Sequence, residues 1–488
     1  MPMQKIIEPG LTLVVVGAAL AFGGVQPLAY SLMQVGVFLL LLLLLFNQVR
    51  SGKVELPLSV WPLLFVLVVV MQLVPLPASL VEILSPARAL PAGWAPGMSS
   101  ESSWMTLSIN SHGTTLVLLK FLAYLGAFTL AACLFDSRRK KSLLIHALVF
   151  LGCFQAAYGI VQYLTGWQKI FTYEKIYYLN EATGTYINRN HFAGLLELTL
   201  PFVAALAFYA YQSWEEERGR RSGRRDQGRP ASLGFRALFY LFLAVVMVVA
   251  LIFSRSRMGI LAMLFGLICM ALLAQVRLRQ TRWMVIVASF LIVVGSYGVW
   301  IGLGPVLARF EQMGDPTYLE MEGRLSMWRG TVELIRDYPI AGTGLGTFDL
   351  AFRRYQTANL DKYVDHAHND YLQFAAETGL LGFVLLFVPI LYLLGRMVSS
   401  FLTDTRRYRR AVTLGCIGST LALLAHSFAD FNLQIPANAL IFAIVLGIGY
   451  KAAILERHGE QADSLRLIPE GAREENGISI HRRAVGSH

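Results

Sequence analysis

The sequence predicts an all-α polytopic membrane protein of about 12 transmembrane helices. Three observations predict it: the apolar content, the length of the apolar runs, and the grouping of the basic residues between them. Of 488 residues, 55% are hydrophobic and only 15% charged, whereas about a quarter of a soluble protein's residues carry charge. Runs such as Val35 to Phe46, Leu58 to Val74, Phe239 to Phe253, Trp283 to Gly302 and Leu380 to Leu394 are apolar on every face, as a segment surrounded by hydrocarbon must be. The formal charge of +11 does not imply nucleic acid, because the basic residues form short clusters between spans and not one continuous surface. Cys133, Cys153, Cys269 and Cys416 all lie inside apolar runs, where a thiol behaves as a small hydrophobe; no zinc spacing or disulfide framework is present.

In order, the runs place spans near 11–29, 31–46, 58–74, 116–135, 143–164, 190–211, 236–253, 258–275, 283–303, 379–395, 411–428 and 437–455. Lys5 precedes the first without a small-residue cleavage site, so it reads as an uncleaved helix. With both termini cytoplasmic, the inner segments collect Lys5, Arg50, Lys53, the basic run 138–141, the arginines of 218–236, Arg277, Arg279, Arg282, those of 396–410 and the basic tail, most of the 42 Lys and Arg. That asymmetry fixes the expected orientation, with both termini on the inner side. Three outer segments are long enough to be structured: 75–115, 166–189 and 304–378. In the last, Glu320 to Leu334 reads as an amphipathic helix with Leu325, Trp328, Val332 and Ile335 on one face. Asp337-Tyr338-Pro339 stops it, and Gly342, Gly344 and Gly346 form a tight turn. The Arg-, Gly- and Ser-rich inner loop from Trp214 to Arg236 is expected near anionic lipid heads. We divide the chain into an N-terminal membrane region (1–180), a second membrane region (181–455) that holds the polar clusters below, and a disordered cytoplasmic tail (456–488).

Four polar clusters could carry chemistry. Arg255 and Arg257 sit in a very short outer turn, Ser254-Arg255-Ser256-Arg257. Guanidinium so close to hydrocarbon is costly; a clamp for a lipid diphosphate would justify it, and the alternative is snorkelling to the headgroups. The stretch Asp365-His366-Ala367-His368-Asn369-Asp370 leads straight into a span. Two histidines flanked by carboxylates could ligate a metal, but the spacing is not that of a zinc site, and a general base taking a hydroxyl proton fits better. Asn188, Arg189, Asn190 and His191 open the sixth span with donors at headgroup height, although an asparagine cap accounts for one of them. His426 and Asp430, at the outer end of the eleventh, are either a functional intramembrane pair or a mutually satisfied structural one.

Together these pieces resemble the O-antigen ligase and Wzy-type O-antigen polymerase superfamily of bacterial membrane glycosyltransferases. The matching residues are Ser254-Arg255, Gly323-Arg324 with Trp328, the stretch from Asp337 to Phe348, His368-Asn369 followed by Glu377-Thr378-Gly379-Leu380-Leu381-Gly382, and Asn188 to Gly194. The resemblance spans about 180–450 and implies a GT-C-like fold. It also implies a reaction in which a glycan leaves undecaprenyl diphosphate for an acceptor hydroxyl at the periplasmic face, with no cofactor and no metal. On that resemblance His368 matches the base, with His366 second, and Arg255 and Arg324 match the diphosphate-holding arginines, joined here by Arg257. Asn188, Arg189, Asn190, His191, Asn369, Asp370, His426 and Asp430 are candidate substrate-binding residues. Arg189 departs from the small or proline residue expected between the two asparagines.

The expected partners are the lipid-linked glycan donor, a glycan or lipid A core acceptor, and membrane lipid, without nucleic acid. The reading leans to a polymerase, with ligation to lipid A core as the alternative. A lipid-linked oligosaccharide transporter is the competing class; it would place charge near the bilayer midplane, whereas these clusters gather on one face.

Overall fold

The computed structural model describes residues 4–52, 54, 56–57, 59–89, 103–137, 142–221, 230–278, 323–356 and 363–455. The chain is an all-α polytopic membrane protein. Eight of the described helices are long and apolar enough to cross a bilayer: α2 (Pro27–Arg50), α6 (Ser111–Leu134), α7 (Leu143–Thr165), α8 (Arg189–Arg221), α9 (Pro230–Phe253), α10 (Arg257–Leu278), α13 (Asp370–Thr403) and α15 (Pro436–Tyr450). The shorter α1 (Gln4–Leu20) and α3 (Val60–Leu73) pack beside them. The ninth expected span, 283–303, and the tail lie outside the described residues.

Two boundaries differ from the sequence reading for identifiable reasons. The apolar run 11–29 is not one span: α1 ends at Leu20, and Gly23 and Gly24, at φ 73° and 74°, turn the chain before Pro27 starts α2. Proline at a first helical position is preorganised for that start. The tenth span was expected from 379, but α13 begins at Asp370, where Asn369 caps it by accepting from the Leu372 N–H at 3.1 Å. Its first turns are polar yet buried, and Gly379 (φ 65°) breaks the helix within.

At the centre stands α14 (Arg407–His426), buried along almost its whole length among α8, α10, α13 and α15. Small residues permit that position. A Cβ at Gly415 would press on Phe202, and one at Gly418 would overlap Met270 and crowd Pro201, the close approach by which helices associate in lipid.

Outside this bundle the segment 323–376 has an apolar core of its own, built from Met327, Leu334, Tyr338, Phe348, Phe352 and Val364. Its main helix, α11 (Arg324–Asp337), buries Met327, Gly330, Thr331 and Leu334. The expected Leu325–Trp328–Val332–Ile335 stripe is kept in part, since Trp328 and Ile335 pack half-buried against this core, but the most buried line runs one residue earlier. Gly330 makes the difference, because a side chain there would collide with the Tyr355 carbonyl and crowd the Phe352 ring. Three short helices complete the outer layer: α4 (Ala78–Leu84), α5 (Pro86–Ala89) and α12 (Phe348–Ala351). The strands β1 (Leu76–Pro77) and β2 (Trp104–Met105) pair antiparallel beside them, as do β3 (Lys169–Ile170) and β4 (Tyr173–Glu174).

The glycine-rich turn is bound to the helix break. A Cβ at Gly379 would overlap the Ile340 carbonyl, and one at Gly342 would overlap the backbone of Glu377. The Thr343 and Gly344 amides donate to the carbonyls of Ala376 and Glu377, at 3.0 and 2.9 Å. Gln72, buried on α3, donates to the Ala341 carbonyl at 2.6 Å and the Glu377 carbonyl at 2.9 Å, and accepts from the Leu345 amide at 3.0 Å. The carboxylate of Glu377 accepts from the amides of Gly346 (2.8 Å) and Phe348 (3.3 Å) and from the Gln373 side chain (3.2 Å). Glu377 is thus a fastener for the turn.

Candidate active site

The segments singled out by sequence meet at one end of the bundle, around Asp430, in the short link between α14 and α15. Asp430 is 1% exposed, and its Oδ1 lies 3.8 Å from His368 Nδ1 and 3.7 Å from His191 Nε2. Those separations are longer than hydrogen bonds but close enough for strong mutual polarisation in a buried setting. Asn190 donates its amide to Oδ2, and the Phe431 backbone amide donates to Oδ1 at 2.8 Å. Burial alone would raise the Asp430 carboxyl, yet the two imidazoles outweigh it and hold the group well below the usual carboxylate range. Asp430 is therefore an anion at neutral pH, and of the two flanking histidines His368 is the more open, at 28% exposure against 8% for His191.

The backbone is bent to present it. His368 has φ 48°, a left-handed conformation uncommon outside glycine and one that clusters at functional sites. On one side the Ala367 carbonyl is held by the indole N–H of Trp328, at 3.0 Å. On the other, Asn369 caps α13 and donates to the Phe428 carbonyl at 2.9 Å. With both neighbours fixed, the turn falls on His368.

Phe431 organises the imidazoles. Its ring stacks on His366 with centroids 4.1 Å apart and meets His191 and His368 edge-on at 4.7 and 4.8 Å. His366 is further engaged by Gln373, whose Nε2 lies 3.1 Å from Nδ1. Desolvation pushes His366 down to about 4, so it is neutral where His368 would work.

Basic residues lie on segments tied to this cluster. Arg255 has φ 55°, lies over the Tyr163 ring at 5.7 Å, and is followed by Ser256, whose hydroxyl donates to Asn190 Oδ1 at 2.9 Å. One turn therefore links the arginine pair to the asparagine that holds Asp430. Arg257 is the first residue of α10, and Arg324 opens α11 after Gly323 at φ 72°. Tyr178, in the outer loop, feels Asp430, Arg189, Glu181 and Arg324 at once; burial, then Asp430, pushes its phenol up while the arginines oppose the rise. Arg189 is committed locally, ion-paired with Glu181 and stacked over Tyr178 at 5.3 Å, so it ties loop 166–188 to α8. Asn188 accepts from the Asn190 amide at 2.8 Å and fixes the entry into that helix.

Two expected substrate contacts lie behind the site. Asp370, fully buried, accepts from the Ser427 hydroxyl (2.8 Å) and the Leu433 amide (3.1 Å), stitching α13 to the Asp430 link. His426, also fully buried, does not pair with Asp430 as its spacing suggested; its Nδ1 lies 2.8 Å from Glu197 on α8. A carboxylate in the middle of the apolar run 190–211 was the available signal for Glu197, since charge inside a span usually has a partner. Phe431, Gln373 and Ser256 had no such signal, because their roles arise from contacts between distant segments.

Residues 242–387 match the family model described as O-antigen ligase, in line with the resemblance to the O-antigen ligase/Wzy superfamily. The match takes in Arg255, Arg257, Arg324, both loop histidines and the Glu377 fastener. No curated protein matches the chain. The fold and the match support a membrane enzyme broadly of O-antigen ligase or polymerase type.

Proposed function

We propose that this chain transfers an oligosaccharide from undecaprenyl diphosphate to an acceptor hydroxyl at the periplasmic face, with His368 as general base. The observation that carries the reading is a part-exposed imidazole beside a buried, ionised carboxylate, with arginines on the adjoining segments. The acceptor hydroxyl gives its proton to His368 as its oxygen bonds to the anomeric carbon; the bond from that carbon to the diphosphate breaks, and the diphosphate departs with the electron pair. Asp430 stabilises the imidazolium that forms, in the manner of an anion orienting a catalytic histidine. Arg255 and Arg324, with Arg257, stabilise charge growing on the leaving group. Asn190 and His191 position Asp430.

Repeat-unit polymerisation is the acceptor chemistry we favour; the description of the matched family keeps ligation to lipid A core as the second reading. Glycan transfer in proteoliposomes from a purified undecaprenyl diphosphate-linked repeat tests both, with wild type, His368→Ala and Arg324→Ala, and with EDTA present. Longer lipid-linked chains, lost in both variants and unaffected by EDTA, establish a metal-independent polymerase. Product only on adding lipid A core establishes the ligase. Movement of the donor across the membrane without transfer to any acceptor sinks the enzyme reading in favour of a transporter.

A further inference from the structure

The helices that carry the Asp430 cluster at one end carry a second polar cluster at the other. Along α14, His426 lies at the active-site end and Arg407, Arg409 and Arg410 at the opposite end, about 25 Å away at 1.5 Å per residue. In the same way α8 runs from Asn190 to Gln212 and Glu216, and α10 from Arg257 to Arg277. Arg409, 3% exposed, is bound by Asp404, which also accepts from the Arg406 amide at 2.8 Å. Arg407 pairs with Glu216. Asp404 and Glu216 are thus already engaged.

Arg410 is left with a neutral neighbour. It is 7% exposed, donates to Gln212 Oε1 at 3.1 Å, and its buried Nε has no hydrogen-bond partner among the described residues. Arg277, half-buried, reaches only the Asp404 carbonyl at 3.5 Å, and its Nε is likewise without a partner. The guanidiniums of Arg277 and Arg407 both stand near enough to Arg410 to repel it, and Asp404, already bound to Arg409, offsets them only in part. All three border the first turn of α14, where unpaired backbone amides add positive potential. Attraction of Arg277 to the C-terminal carbonyls of α10 accounts for one arginine, but not for Arg410, which opens a helix. Arg277 and Arg410, each with an unmet Nε donor, and the neighbouring Arg407, whose own charge is offset by Glu216, gather more positive charge than Asp404 balances, a setting that favours a bridging anion.

We infer that Arg277, Arg407 and Arg410 form a binding site for a phosphate group, at the end of the bundle remote from the Asp430 cluster. The guanidinium fork binds phosphate oxygens in pairs, and basic pockets between membrane helices are where anionic headgroups bind. A lipid phosphodiester and free phosphate share this chemistry. The site does not depend on the proposed reaction.

Native mass spectrometry of the full chain, released from vesicles of phosphatidylcholine with or without phosphatidylglycerol, tests it. Wild type is expected to retain phosphatidylglycerol, and Arg277→Gln and Arg410→Gln each to weaken retention about fivefold, the effect of one arginine near an anionic surface. Arg410→Lys, which keeps the charge and loses the fork, guards against a variant that fails to fold and is expected to fall between them. A parallel arm adds inorganic phosphate and reads thermal unfolding. Stabilisation by millimolar phosphate that disappears in Arg277→Gln assigns the site to a soluble ligand, and stabilisation by phosphatidylglycerol alone assigns it to lipid. Equal retention and equal stabilisation in wild type and both glutamine variants would overturn the inference.

Discussion

Asp430 and Glu377 are both buried carboxylates within reach of the same loop, and their partners set them apart. Glu377 is satisfied by the amides of Gly346 and Phe348 and by Gln373, donors whose protonation does not change near neutral pH. Asp430 faces His191 and His368 and accepts from Asn190, so two of its neighbours can gain or lose a proton. A carboxylate closed by backbone amides fixes the shape of a turn. One ringed by imidazoles fixes where protons reside.

Removing each carboxylate is the strongest way to break the comparison. Glu377→Ala strands two buried amides and the Gln373 donor, a loss of about 3–9 kcal/mol when each unmet donor costs about 1–3 kcal/mol. The expected result is a large drop in recovery of folded protein, read by fluorescence-detected size exclusion, with near-normal transfer by any molecule that folds. Near-normal recovery together with abolished transfer would reverse the assignment. Asp430→Asn keeps the shape and one acceptor oxygen, so the thermal midpoint should move little while kcat falls about 10²–10³-fold, within the range of general acid–base catalysis. If both quantities fall together, Asp430 is only structural.

A weaker effect sharpens the contrast through pH. His366 sits near 4 when folded against about 6.5 unfolded. Below pH 6.5 the unfolded chain binds the extra proton, so stability is full above that value and declines towards pH 4. Asp430, held below its usual range, contributes stability that is present above about pH 4 and lost only as pH falls through its lower folded value. A melting profile in detergent should therefore decline from pH 6.5, and His366→Gln should flatten that decline. An unchanged profile in the variant places the cause elsewhere.

Much of this architecture was legible in the residues, because hydrocarbon selects long apolar helices and makes stray charge conspicuous. The arginines of the 254–257 turn were visible on those grounds, whereas Arg324 and the His368-Asn369 pair were singled out by the family resemblance. What stayed hidden was polarity satisfied locally. The first turns of α13 looked like loop because Asp370, Gln373 and Glu377 are hydrophilic, yet each has partners that make burial affordable. The face of α11 was misjudged by one residue because Gly330 and Thr331 are buried without being greasy. His426 was matched to the carboxylate nearest in sequence, when its partner Glu197 stands 229 positions away.

Gln72 bears on how such proteins can be recombined. One side chain, in the third helix of the N-terminal region, bonds the glycine turn at Ala341 and Leu345 and the broken helix at Glu377. A chimaera joining residues 1–180 of one homologue to the remainder of another would inherit that three-way knot only if both parents place a glutamine, or an equal donor and acceptor, at this depth. Crossover points that look permissive in the loops would otherwise separate a fastener from what it fastens, and the fault would appear as a misassembled active-site turn far from the splice.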